Sequence, residues 1–287
     1  NSLLYITLEQ IQSIEILSHP AQRLGVLPEL AVLRPQLDLH VFETLPSTNQ
    51  HAWHLVDQGA SAGTVVIARQ QTAGRGQWGR TWLSSSGGLY LSLVLEPDLE
   101  IRDRTLLTLA SAWGIAKSLE NLGIAIQIKW PNDLVSAGHK VGGILTETRI
   151  FNVKGVDSPQ GTSRMRTAVI GVGINWLNAL PENAISLREL LPDPFPEGLK
   201  SLEDLAAIVL RGILQGYHYW QHQGTELFIA AYQQKLSSLR QTVRVGGHLG
   251  EVLGVSLTGD LAVSLDVLGH KQIHVFPPGE ITLGYNV

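Results

Sequence analysis

The chain has 287 residues, 44% of them hydrophobic, with a formal net charge of -4 and no cysteine. That length suits one large domain plus a smaller one, and the missing cysteine excludes a disulfide framework, a thiolate nucleophile and a cysteine-bound metal. The charge argues against nucleic acid as the main partner; without an apolar run near the roughly 18 residues of a membrane span, or a secretory signal pattern, a cytoplasmic location is expected.

Residues 1–37 hold apolar stretches broken by Pro20, Pro28 and Pro35. They read as a short, irregular lead-in with no helix-turn-helix domain, and Asn1 in place of a methionine suggests a start inside a longer product. His40 to Glu43 reads as a strand, Ser47-Thr48-Asn49 as a helix N-cap and Gln50 to Gly59 as the helix that follows. Thr64 to Ala68 is a β-branched strand running into a glycine-rich loop, Gly74 to Trp82. Gly88 to Leu95 is the next strand, and Thr105 to Leu122 has the spacing of an amphipathic helix closed by Gly123. Strands are expected at Ile124 to Trp130, Val141 to Ile150 and Thr167 to Ile174, the last two joined by a long polar connection from Asn152 to Arg166. Ser201 to Tyr219 and Thr225 to Leu236 read as helices. Thr242 to Val287 is short strands broken by glycines and by Pro277-Pro278-Gly279, the texture of a small β-barrel.

The chemistry concentrates in three segments: Gly74-Arg75-Gly76-Gln77-Trp78-Gly79-Arg80-Thr81-Trp82, Lys129-Trp130-Pro131-Asn132-Asp133 and Lys140-Val141-Gly142-Gly143-Ile144-Leu145. Glycines let backbone N–H groups approach an anion, and arginines grip carboxylate or phosphate with a rigid fork. Two lysines, an amide and a carboxylate beside a strand suit a nucleotide and a developing negative charge. Together the segments point to a phosphorylated acyl intermediate. Gly74-x-Gly76-x-x-Gly79 also matches the dinucleotide fingerprint, but residues 81–88 lack the apolar period of the helix that fingerprint must open. A Walker loop fails because no Gly-Lys-Ser/Thr follows the glycines. The ten histidines are scattered without metal-ligand spacing, so no metal site is expected.

These motifs, with Ser47-Thr48-Asn49 before them and Gly171-Val172-Gly173-Ile174-Asn175 after, resemble the biotin–protein ligase family in kind and in order, from Leu39 to Val287. The resemblance implies an α+β fold: a class II synthetase-like catalytic domain with a mixed sheet and flanking helices over residues 38–240, then an SH3-like β-barrel over 241–287. It also implies an ATP-dependent ligase that makes biotinyl-5′-AMP from biotin and ATP, with magnesium on the nucleotide, and passes biotin to a lysine of the biotin carboxyl carrier domain of acetyl-CoA carboxylase. Neither DNA nor membrane is an expected partner, and the chain is expected to be a monomer or homodimer. The alternatives are a lipoate–protein ligase, a biotin-binding regulator without catalysis, and a peptide-binding SH3 module in the tail.

By the same resemblance, Ser47, Thr48, Asn49 and Gln71 would satisfy biotin's ureido ring, and the N-cap role of Ser47 is compatible with that. Gly74, Arg75, Gly76 and Gln77 would close over the adenylate, with Tyr90, Gly143, Leu145, Gly171 and Gly173 walling the biotin slot. Arg80 would hold phosphate and Trp82 would cover adenine. Lys140 would stand between the biotin carboxylate and the phosphate as the main catalytic cation. Lys129 and Asn132 would serve the nucleotide, Asn175 would complete its side, and Asp133 would orient or deprotonate the incoming lysine. Gln77 departs from the family, where arginine is common. The tail is expected to assist ATP or carrier-protein engagement without forming the biotin pocket, since every pocket motif precedes residue 176.

Overall fold

The computed structural model describes residues 37–283 apart from 98, 152–163, 197, 268 and 282. The expected lead-in up to residue 36, most of the 152–166 connection and the last four residues lie outside the described residues. Among the described residues no helix is long and apolar enough to cross a membrane.

The main sheet is built from β1 (Asp38–Leu45), β2 (Thr64–Gln71), β3 (Leu89–Leu95), β4 (Leu99–Glu100), β5 (Gln127–Lys129), β6 (Asp133–Ser136), β7 (His139–Phe151) and β8 (Arg164–Ile174). Its order is β1-β2-β3-β8-β7-β6-β5, with β4 beside β8. Only β1 and β2 run parallel, because α1 (Thr48–Asp57) lies between them and carries the chain back to the same end. Ser47 caps α1: its backbone is extended and its Oγ accepts from the Gln50 N–H at 3.5 Å.

Period-two alternation sends each strand's side chains to two faces. On one face α1 packs Ala52 and Trp53 against Val66, Ala68, Val94 and Val169. On the other, Leu91, Leu93, Ile144, Ile170 and Val172 meet the main core beneath α2 (Arg104–Glu120) and α3 (Leu202–Gln223). These two helices touch backbone to backbone, and a Cβ on Gly114 would lie 1.9 Å from the Gly212 carbonyl oxygen. Ser201 caps α3 through a reciprocal capping box with Asp204. The short α4 (Thr225–Gln233) follows.

The strand expected over Ile124 to Trp130 is only β5, and an unexpected β6 follows it. β6 turns into β7 through Ala137 and Gly138, both left-handed (φ 47 and 77). Such two-residue turns favour Asn-Gly or Asp-Gly, so alanine there concealed the hairpin.

The tail forms a second, antiparallel sheet in the order β12-β11-β10-β9: β9 (Thr242–Val245), β10 (His248–Val255), β11 (Leu261–Val267) and β12 (His270–Phe276). Specific hydrogen bonds fasten it to the larger unit. Trp130 Nε1 donates to the Gly259 carbonyl at 2.9 Å, the Val255 N–H donates to Gln233 Oε1 at 3.1 Å and the Arg240 N–H donates to the Val252 carbonyl at 2.9 Å.

Candidate functional site

A cavity of about 260 Å³ opens on the α1 side of the main sheet, near the lower end of the roughly 300–1,000 Å³ usual for small-ligand sites. Its floor is the alternation on β7 and β8. Gly143 pairs with Gly173 and Leu145 with Gly171, so three glycines leave a flat strip along the sheet, with Leu145 as its bulky side chain. A Cβ at Gly171 would lie 2.1 Å from Asn49 Oδ1, and one at Gly173 2.5 Å from the Trp82 indole. Only glycine permits these approaches.

One end of the strip is polar and dry. Ser47, Thr48 and Asn49 are each at most 4% exposed. The Thr48 N–H donates to Gln71 Oε1 at 2.8 Å, Gln71 Nε2 donates to Ser84 Oγ at 2.8 Å and Ser84 Oγ donates to the Trp82 carbonyl at 3.0 Å. Ser92 Oγ donates to Asn49 Oδ1 at 2.6 Å and stands 2.8 Å from Thr48 Oγ1. Buried donors and acceptors are thereby kept paired and fixed in direction.

The other end is charged. Lys140 Nζ lies 2.6 Å from Asp133 Oδ1 and 5.0 Å from the Trp82 ring centroid. Lys129 and Arg80 line the same end, with Asn132, whose Nδ2 donates to the Ile144 carbonyl at 2.8 Å. Burial pushes the Lys129 ammonium down to about 8; Asp133 opposes that shift, while Lys140 and Arg80 reinforce it.

Residues 74–82, expected as a loop, form a small hairpin roofing the cavity. Arg75 bridges Thr81, the Trp82 N–H donates to the Gly74 carbonyl at 2.9 Å and the Gly76 N–H donates to the Arg80 carbonyl at 2.7 Å. At the tip Trp78 is left-handed (φ 59) and 62% exposed. Its indole rests on Gly279, where a Cβ would lie 2.7 Å from the ring.

The structure therefore gathers Ser47, Thr48, Asn49, Gln71, Arg75, Gly76, Gln77, Arg80, Trp82, Lys129, Asn132, Asp133, Lys140, Gly143, Leu145, Gly171 and Gly173 around one cavity. Gly74, Tyr90 and Asn175 are not among its lining residues. Gly74 sits at the hairpin base, where a Cβ would lie 2.4 Å from both Ser84 Oγ and the Trp82 carbonyl oxygen. Tyr90 is 1% exposed and its hydroxyl donates to the Ser85 carbonyl at 2.7 Å; burial holds that phenol well above its usual range. Asn175 stands behind Lys140, donating from Nδ2 to the Lys140 carbonyl at 3.2 Å.

Sequence reasoning missed several contributors. Gly279, Ile281 and Leu283 line the cavity, which corrects the expectation that the tail takes no part in the pocket. Ser92 had a signal, a polar residue inside the wholly buried strand LYLSLVL. Glu147 had one as well, since Gly143, Leu145 and Glu147 succeed one another on the same face of β7. A second, more open cavity of about 570 Å³ adjoins the first and shares Gln77, Trp78, Pro131 and Leu145 with it.

The sequence profile of the Biotin/lipoate A/B protein ligase family matches residues 41–175. The bifunctional ligase/repressor BirA of Bacillus subtilis is 36% identical over 274 residues, covering 90% of this chain and 77% of that protein. The biotin–[acetyl-CoA-carboxylase] ligase of Mycobacterium tuberculosis is 30% identical over 235 residues, covering 76% of this chain and 78% of that one. Among solved structures, the biotin protein ligase of Aquifex aeolicus in complex with biotin and ATP superposes with a TM-score of 0.59 at 25% identity, covering 83% of this chain and 99% of that one. Motif order, a cavity with one polar and one cationic end, and these likenesses agree: the chain belongs to the biotin–protein ligases of the biotin/lipoate A/B protein ligase family.

Proposed function

We propose that this protein is an ATP-dependent biotin–protein ligase working in two steps in the cavity above the glycine strip. A biotin carboxylate oxygen attacks the α-phosphorus of ATP, the bond to the β-phosphate bridging oxygen breaks, and biotinyl-5′-AMP and pyrophosphate result. A carrier lysine ammonium then gives up a proton, the resulting amine attacks the acyl carbon, AMP leaves, and the nitrogen loses its second proton as the amide forms. The observation carrying this reading is the polarity of the cavity: directed, buried amide and hydroxyl groups at one end, and Lys140, Lys129 and Arg80 at the other.

Two anions must meet in the first step. A cation about 4 Å away, at an effective dielectric near 20, offsets roughly 4 kcal/mol of their repulsion. Lys140 supplies it, oriented by Asp133 at 2.6 Å and by Asn175 behind its backbone. Lys129 and Arg80 meet the triphosphate, whose magnesium arrives with it, and Trp82 covers the purine. The ureido head lies against Ser47, Thr48, Asn49 and Gln71, and Arg75, Gly76 and Gln77 close over the adenylate. The adjoining cavity gives the incoming lysine a route past Trp78. A dithiolane head offers no hydrogen-bonding groups to match the directed amides and hydroxyls of the polar end, which disfavours lipoate.

We assign residues 38–240 to the catalytic unit and 241–287 to an SH3-like unit that supplies the wall at Gly279, Ile281 and Leu283. The acceptor is the carrier domain of a biotin-dependent carboxylase, and the cytoplasm, where ATP and that acceptor occur together, is the setting. The test is incubation with biotin, ATP and a carrier domain, following pyrophosphate release and the mass of the carrier. A carrier heavier by one biotinyl group is expected; lipoyl transfer under the same conditions, or ligand binding without pyrophosphate, would overturn the reading.

A further inference from the structure

Glu147 is a largely buried carboxylate beside the polar end of the cavity. It lies on β7 opposite Val169 of β8, its side chain only 22% exposed. Its two oxygens serve different segments. Oε1 lies 3.0 Å from Arg75 Nη2 in the hairpin roof, and Oε2 accepts from Asn49 Nδ2 at 2.9 Å, at the start of α1. Asn49 cannot turn away, because its Oδ1 holds the Ser92 hydroxyl and its Nδ2 also reaches the Leu145 carbonyl at 3.3 Å. The far arm of the hairpin is fastened to the same polar cluster through Trp82, Ser84, Gln71 and Thr48. Both arms of the roof are thus tied to the polar end of the cavity. The near arm shares backbone hydrogen bonds with the far arm, and its side-chain link to the cluster runs from Arg75 to Glu147.

We propose that Glu147 is a positioning residue of the biotin site: by holding Arg75 to Asn49 it keeps the hairpin shut over the head of the ligand and lengthens the residence of the adenylate. The proposal rests on the ligase reading for its ligand, but the tie itself belongs to the free protein. A guanidinium shared between a carboxylate and a bound anion keeps its direction, whereas an unpaired arginine on a glycine hairpin samples many rotamers and must be ordered each time a ligand binds. Glu147 acts through Arg75. Its removal therefore costs nothing further once Arg75 is gone, which separates positioning from a general loss of packing.

The experiment compares wild type, Glu147→Gln, Arg75→Ala, the double variant and Arg149→Ala. Arg149→Ala is the control, because it removes an ion pair with Asp57 that joins the same two elements, β7 and α1, away from the cavity. The first readout needs no ligand: limited trypsin cleavage after Arg75 and Arg80. Glu147→Gln, which keeps the shape of the side chain, should be cut about tenfold faster than wild type, and Arg149→Ala at the wild-type rate. The second readout is release of preformed biotinyl-AMP on dilution, together with KM for biotin and for ATP. Release and the biotin KM should rise about tenfold in Glu147→Gln with the ATP KM nearly constant, and the double variant should match Arg75→Ala. Wild-type cleavage in Glu147→Gln, or multiplied effects in the double variant, would overturn the proposal. If wild type forms no biotinyl-AMP the ligase reading falls, and the cleavage comparison alone decides whether Glu147 holds the roof.

Discussion

Replacing Lys140 by alanine is the most direct perturbation of the first step. Its ammonium is 2.6 Å from Asp133, and its side chain is 26% exposed. The roughly 4 kcal/mol available from one cation at about 4 Å is an upper figure, because Asp133 already neutralises part of that charge. Deleting one preorganised charge stabiliser then lowers adenylate formation by about 10²–10³. The same substitution carries a second signature. Lys140 is one of the cations that depress Lys129, whereas Asp133 favours its charged form, so removal of Lys140 raises the Lys129 pKa. Any alkaline limb on the ATP KM should move upward from about 8. The assay is biotin-dependent exchange of labelled pyrophosphate into ATP across pH, on a variant shown by thermal melting to be folded. A wild-type exchange rate would remove Lys140 from the chemistry, and an unmoved limb would show that Lys140 and Lys129 do not share one field.

In wild type, Lys129 loses its proton as pH rises through about 8, so the ATP KM should climb above that pH while the biotin KM stays flat; equal movement of both would dismiss Lys129 as a phosphate ligand. The same depressed pKa means that the unfolded chain binds the proton more tightly, so this group's contribution to stability rises between about 8 and 10.5, which denaturant midpoints measured over that window would show. Gln77→Arg replaces neutral amide contacts by charged, forked ones that are about twice as strong; biotinyl-AMP should leave more slowly and label a non-cognate protein less, and indistinguishable release would mean Gln77 is electrostatically silent. Gly114→Ala places a Cβ 1.9 Å from the Gly212 carbonyl oxygen, and the separation of α2 from α3 should cost about 3 kcal/mol or more, seen as a fall of several degrees in Tm; an unchanged Tm would show that the two helices slide apart freely.

The parts legible in the sequence are those where chemistry or packing leaves little choice. β2, β3 and β8 were apparent because strands buried on both faces read as continuous apolar runs, and the gathering of Lys140, Arg80 and Lys129 at one cavity because each stands in a short glycine- or polar-rich motif. Less legible was anything set by tertiary direction. Motif position brought Asn175 to the right neighbourhood, but its amide turns to the Lys140 carbonyl. Tyr90 is paired in register with Gly173, yet its hydroxyl goes to Ser85. β6 was hidden by a left-handed alanine, and Glu147 by its ordinariness, a glutamate on an alternating strand whose partners lie far off in sequence. The wall from the tail was hidden for the same reason.

That wall has a bearing on when the protein becomes dangerous to its surroundings. A reactive acyl phosphate needs a chamber that keeps out both water and stray amines, and here the chamber takes its last side from Gly279, Ile281 and Leu283. A ribosome delivers the polar cluster, the hairpin and the cations well before it delivers those residues. Trp78 then has nothing to rest on, and Trp130 lacks the Gly259 carbonyl. An unfinished chain, or one cut within the second sheet, thus holds the recognition groups without the enclosure. Enclosure of the cavity is completed only when the later segment has been wrapped against the hairpin.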